Sequence, residues 1–150
     1  MYIKCWGSRG SIPVSGKEYI KYGGDTTCLE IRTESDDIII VDAGTGIRRL
    51  GNQLISEGRY SYNFLLTHAH WDHLMGFPFF KPLFLEYPEI RMHRGAFHKK
   101  YMESMFSKVM APPNFPVRYS DLKAKIVYLG GNPERFRIGS VTVEPIAISH

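Results

Sequence analysis

Residues Thr67 to His73 read THAHWDH, which places three histidines and an aspartate within seven residues of a chain that has six histidines in all. Neutral imidazoles and a carboxylate are good ligands for zinc and other borderline first-row divalent ions, and a site needs three or more of them from the protein. His68 and His70 stand two apart at the end of an apolar run, where both can point to one side and share an ion. Asp72 and His73 follow at the start of the next helical turn, placed to face a second ion a few ångström away. The spacing H-x-H-x-D-H therefore suits two neighbouring metals, and four ligand-type side chains so close together weigh against a merely solvated loop. A structural zinc would call for a closed, cysteine-rich set, yet Cys5 and Cys28 lie far away in sequence and form no C-x-x-C. Both cysteines fall in apolar runs and are expected to be buried, reduced thiols.

Positioning such a cluster requires strands that end where it begins. YIKCWG (Tyr2 to Gly7) and TTCLEIRT (Thr26 to Thr33) read as strands, separated by the Gly/Ser/Pro loop GSRGSIPVSG. Ile38 to Val41 form a continuous apolar run, expected for a strand buried on both faces, and its C-terminal end presents Asp42. From Thr45 to Ser56 the apolar residues Ile47, Leu50, Leu54 and Ile55 recur at helical spacing, with Gly58 as a stop. YNFLLTH is then a strand that empties into the histidines, so ligating residues sit at strand C-termini, where ligands gather in layered α/β folds.

Beyond the cluster, LMGFPFFKPLFLEYPEI is too broken by proline for a long helix and is suited to walling an apolar cleft. A helix is predicted over Ala96 to Met110, with Phe97, Tyr101, Met105 and Val109 as its core-facing stripe. A Pro-rich loop, APPNFPVRYSD, precedes three more strands in KIVYL, RFRIG and SVTVEPIAIS. His93 and His98 lie in a charged stretch and read as surface residues. Backbone N–H groups of the glycine-rich loop, with Arg9 and Ser11, could touch an anionic substrate, although G-S-R-G also makes an ordinary turn.

Composition narrows the class. Apolar residues at 43% and charged residues at 23% are ordinary for a soluble globular protein, which excludes disorder and coiled coil. At 150 residues one domain is expected, long enough to bury roughly 68–70% of its unfolded surface. Nineteen Lys and Arg against fifteen acidic residues give +4 without any like-charge block, which permits an anionic substrate, nucleic acid included, but does not demand one. The opening MYIKCWGSRGS has no signal-peptide run and no stretch reaches membrane-spanning length, so a cytoplasmic location without membrane contact is expected.

With these residues in hand, the sequence resembles the metallo-β-lactamase superfamily, whose T-H-x-H-x-D-H hallmark stands at Thr67 to His73. Its early aspartate motif matches Asp42 in VDAG, and its third motif, a histidine after a later strand, matches His150 in IAISH. The segments GSRGSIP, YGGDTTCLEI and MAPPNFPV are similar to the subgroup of phosphodiesterase-like and ribonuclease Z-like proteins. The resemblance implies an α/β fold of the αββα sandwich type, with mixed β-sheets and flanking helices, of which residues 1–150 are the N-terminal part of a single domain.

It further implies a binuclear hydrolase with two divalent ions, zinc foremost and manganese or iron as other options. His68, His70 and His150 would hold the first ion, and Asp72 and His73 the second. Asp42 and Asp72 are the carboxylates assigned to the catalytic centre, Asp42 accepting a hydrogen bond that orients the loop. A water shared by ions about 3.5–4 Å apart would serve as nucleophile toward a phosphodiester or other small-molecule substrate, and Phe115 would overhang the site. The superfamily's pattern continues past its third motif with a bridging aspartate and a final histidine, so an incomplete sandwich is expected, with homo-oligomers or strand exchange covering its exposed apolar face. Two other functions stay open: thioester or lactone hydrolysis on the same residues, and a non-catalytic metal-binding or assembly fragment.

Overall fold

The computed structural model describes residues 1–93, 99–130 and 135–146; Phe97, His98 and His150 lie outside the described residues. In chain order the elements are β1 (Tyr2–Gly7), β2 (Cys28–Arg32), β3 (Ile38–Val41), α1 (Ile47–Ser56), β4 (Ser61–Leu65), β5 (Glu89–His93), α2 (Lys99–Val109), β6 (Lys125–Leu129), β7 (Phe136–Ile138) and β8 (Val141–Val143). Strands β1 to β6 make one mixed sheet in sequence order. The first two pairings, β1 with β2 and β2 with β3, are antiparallel; β3 through β6 run parallel. Parallel neighbours need crossover connections, and α1 and α2 provide the helical ones. The β7–β8 hairpin is a separate two-stranded sheet.

Alternation along the strands sends Ile38, Ile40, Tyr62, Phe64, Ile90 and Met92 to one face, where they join Ile47, Leu50 and Leu54 of α1 in a single core. The proline-broken segment after the histidines folds as short 3₁₀ turns at Phe77–Phe79 and Lys81–Phe84. These turns drive Phe77, Phe80 and Leu83 into the same core, with the Phe80 ring edge-on to Tyr62 and Phe64 at 5.5 Å from each. Full burial of such a side chain contributes about 1.5–3 kcal/mol, and here aromatic edge-to-face packing adds to it.

The opposite sheet face is covered in part by the hairpin. The Phe136 ring stacks on His93 at 5.2 Å with the planes 10° apart, and Ile138 is buried. This places His93, expected on the surface, in the interior at 9% exposure, hydrogen-bonded through Nε2 to Asn63 Oδ1 at 2.8 Å. Its charged neighbours in sequence misled: Glu89 and Arg91 alternate with Ile90 and Met92 in β5, a strand not foreseen because its polar residues masked a two-residue period.

Three further expectations are corrected. Cys28 is buried and its burial pushes the thiol well up, whereas Cys5 is exposed, because β1 is an edge strand whose Ile3 and Cys5 face is left open. In α2 the fully buried residues are Met102 and Phe106, with Met110 just past its end, one position on from the predicted stripe; Tyr101 is half exposed while Met105 and Val109 only flank the core. Two interleaved four-residue stripes exist in this helix, and stacking of Phe106 on Phe77 at 3.9 Å selects between them. Finally, among the described residues the last predicted strand covers Val141–Val143 and stops ahead of Pro145, which can donate no ladder hydrogen bond.

Candidate metal centre

Parallel pairing of β3 with β4 brings two strand ends out side by side, since Val41 lies opposite Leu65. One residue further on, the Asp42 N–H donates to the Leu65 carbonyl at 2.9 Å, and Asp42 takes a left-handed backbone, φ +63°. Aspartate is among the few non-glycine residues that tolerate this region. The turn is used: the carboxylate, 1% exposed as a residue, faces the incoming chain from β4. There its Oδ1 accepts from the Thr67 N–H at 2.8 Å, and its Oδ2 meets His73 Nδ1 at 2.7 Å.

A carboxylate offers only acceptors, so His73 Nδ1 carries a proton, which in the neutral imidazole leaves the lone pair on Nε2. The Thr67 hydroxyl lies 2.9–3.0 Å from both Asp42 oxygens, to which it directs its single proton. The same Oγ1 is 3.0 Å from His68 Nδ1 and must then accept from it. One buried carboxylate thus sets the tautomer of His73 directly and of His68 through Thr67, a residue to which the sequence reading gave no role. Its signal was only its place at the head of the motif.

The imidazoles gather closely. Ring centres of His68 and His70 are 4.5 Å apart, and those of His68 and His73 are 4.0 Å apart. Trp71–His73 forms a 3₁₀ turn, with His70 as its extended N-cap, and it swings Asp72 back so that Oδ2 is 3.6 Å from His73 Nε2. The glycine-rich loop reaches the same point: the Ser11 N–H donates to Asp72 Oδ2 at 3.0 Å. Partial burial would raise the Asp72 carboxyl, but backbone N–H donation from Ser11 and from Asp72 itself outweighs it and holds the group below the ordinary carboxylate range.

Glycines let the backbones close up. The Ala43 N–H donates to the His73 carbonyl at 2.7 Å and the Gly76 N–H to the Ala43 carbonyl at 2.8 Å. A Cβ at Gly76 would stand 2.0 Å from the Gly44 carbonyl oxygen, so no larger residue fits without moving the loop.

Of the residues singled out from sequence, the structure therefore brings Asp42, His68, His70, Asp72, His73 and Ser11 together, Ser11 through its backbone. Arg9 has another neighbour, its guanidinium lying 5.4 Å from the centre of the Tyr19 ring. Phe115 packs edge-on to Phe79 at 5.8 Å, and both line a cleft shared with Trp71, the residue between His70 and Asp72. Among the described residues no three His, Cys, Asp or Glu side chains converge on a single ion position. The donor set itself fits a borderline divalent ion: three imidazoles, two with tautomers that leave Nε2 as acceptor, and a carboxylate held below its ordinary range.

Neither a family model nor a curated protein sequence matches the chain. Solved structures do match it. A diphosphatase from the PhnP family is similar over 91% of this chain and 53% of its own, with a TM-score of 0.56 and 14% identity. The metallo-β-lactamase fold protein YhfI from Bacillus subtilis is similar over 91% of this chain and 48% of its own, with a TM-score of 0.53 and 14% identity. The chain has the metallo-β-lactamase fold, in part. It spans about half the length of these two structures. None of the described helices is long and apolar enough to cross a membrane.

Proposed function

We propose that this chain carries the greater part of a two-metal centre of a phosphodiesterase-like hydrolase. The observation that carries this reading is the Asp42 carboxylate holding His73 Nδ1–H, with Thr67 linking it to His68, so that His73 Nε2 faces Asp72 beside the gathered rings of His68 and His70. A carboxylate behind a metal-ligating histidine raises its basicity and fixes its orientation, which is of little use to a merely solvated loop. The metallo-hydrolase fold, shared with a diphosphatase, supports it. His68 and His70, with His150 from outside the described residues, would hold one ion, and Asp72 and His73 the other. Divalent ions there would lower the pKa of a water and offset phosphate charge. The chain's own residues do the remainder: Asp42 and Thr67 orient the imidazoles, and the Ser11 N–H pins Asp72.

The experiment loads the protein with zinc or manganese, counts bound ions, and follows hydrolysis of bis(p-nitrophenyl) phosphate. His70→Ala is expected to lose an ion and abolish turnover. Turnover surviving in metal-free His70→Ala protein would sink the reading, and turnover of thioesters or lactones in place of phosphodiesters would redirect it.

A further inference from the structure

Beside the histidines lies an open cleft of about 440 Å³, within the size range of small-molecule sites. Its walls include the flat side chains of Trp71, Pro78, Phe79 and Phe115, and its polar groups are Lys108 and Asn114. Trp71 and Phe79 remain 51% and 56% exposed, so two large aromatic rings stand in water next to the candidate metal centre. Trp71 belongs to both sites, since it separates His70 from Asp72 in the 3₁₀ turn.

We infer that this cleft receives the planar aromatic ring of a phosphate ester, a nucleotide base or a simple aryl group, whose phosphate is directed to the histidine cluster. Flat rings with exposed faces stack on any π-system irrespective of its substituents. Lys108 is an exposed cation at the cleft and complements an anionic ligand, while Asn114 can donate to and accept from heteroatoms on a ring edge. The phosphate half of this inference rests on the hydrolase reading above; the ring half rests on the cleft alone.

Only two tryptophans are present and Trp6 is buried, so emission changes on ligand addition report Trp71. Adenosine 5′-monophosphate and phenyl phosphate are each expected to quench this emission and to bind about tenfold or more tighter than ribose 5-phosphate, which has the phosphate but no aromatic ring. A preference for the adenosine compound over phenyl phosphate identifies a base as the ring, and equal binding identifies a general aryl subsite. Phe79→Leu, at an exposed position, should collapse the ring-to-ribose ratio toward one, and Phe79→Tyr should restore it. Equal affinity for all three probes, a ratio indifferent to Phe79→Leu, or failure of Phe79→Tyr to restore it would overturn the inference. So would a cleft found sealed by a second copy of the chain in sedimentation experiments. Turnover of bis(p-nitrophenyl) phosphate is scored separately. Ring preference without turnover removes the hydrolase reading and keeps the subsite, and turnover without ring preference does the reverse.

Discussion

The carboxylate of Asp42 accepts a hydrogen bond from Nδ1 of His73 at 2.7 Å, across 31 residues of chain. Asparagine at this position would keep the size but present an N–H₂ in place of one acceptor, so Nδ1–H and the Thr67 donors would compete for a single oxygen. Asp42→Asn is expected to lower zinc affinity by about tenfold to a hundredfold, the range found when such supporting groups are removed. Thr67→Val should give a smaller loss, because it disturbs His68 and leaves the direct Asp42–His73 contact in place. Equilibrium dialysis measures both, and unchanged affinity in Asp42→Asn would reduce the contact to a purely structural one.

Acid should loosen the hairpin's seat. Burial, with Arg91 adding to it, pushes His93 down from 6.5 to about 4. Between those values the unfolded chain binds a proton that the folded chain does not, so stability rises with pH through this window. The contribution is fully present above about pH 6.5 and is lost as pH falls toward 4, and the shift corresponds to about 3 kcal/mol at most. His93→Gln retains a partner for Asn63 but does not titrate. Its urea midpoints should therefore fall less steeply between pH 6.5 and 4 than those of the unaltered protein, and parallel curves would contradict the assignment.

Gly76→Ala tests the closeness of the two loops. Its methyl group would meet the Gly44 carbonyl oxygen at 2.0 Å, backbone against side chain with no flexible group to yield. A loss of about 1–3 kcal/mol in urea unfolding is expected, accompanied by weaker zinc binding because the His73 carbonyl is tied to the same turn. An unchanged midpoint would mean that the loop relaxes freely.

How far the fold could be read from the chain depended on local contrast. Ile38 to Val41 and the helix after Thr45 stood out because apolar residues followed one period between clear breaks, and both are present as Ile38–Val41 and Ile47–Ser56. β5 was invisible because Glu89, Arg91 and His93 interrupt its apolar residues, and only its place between two parallel neighbours makes a strand of it. His93 looked solvated for the same reason, since a hairpin more than forty residues later supplies the ring that covers it.

The centre divides along the same line. Residue type and spacing alone set His68, His70, Asp72 and His73 within one turn of each other, because a strand end followed by a short helical turn allows little else. Nothing local could bring Asp42, Ser11 or the Phe79–Phe115 pair to them. Those approaches follow from the parallel register of β3 and β4, from a left-handed residue at Asp42, and from glycines that admit backbone contact. Contacts between segments distant in sequence depend on how the whole core packs, and that is a property of the folded chain and of no stretch within it.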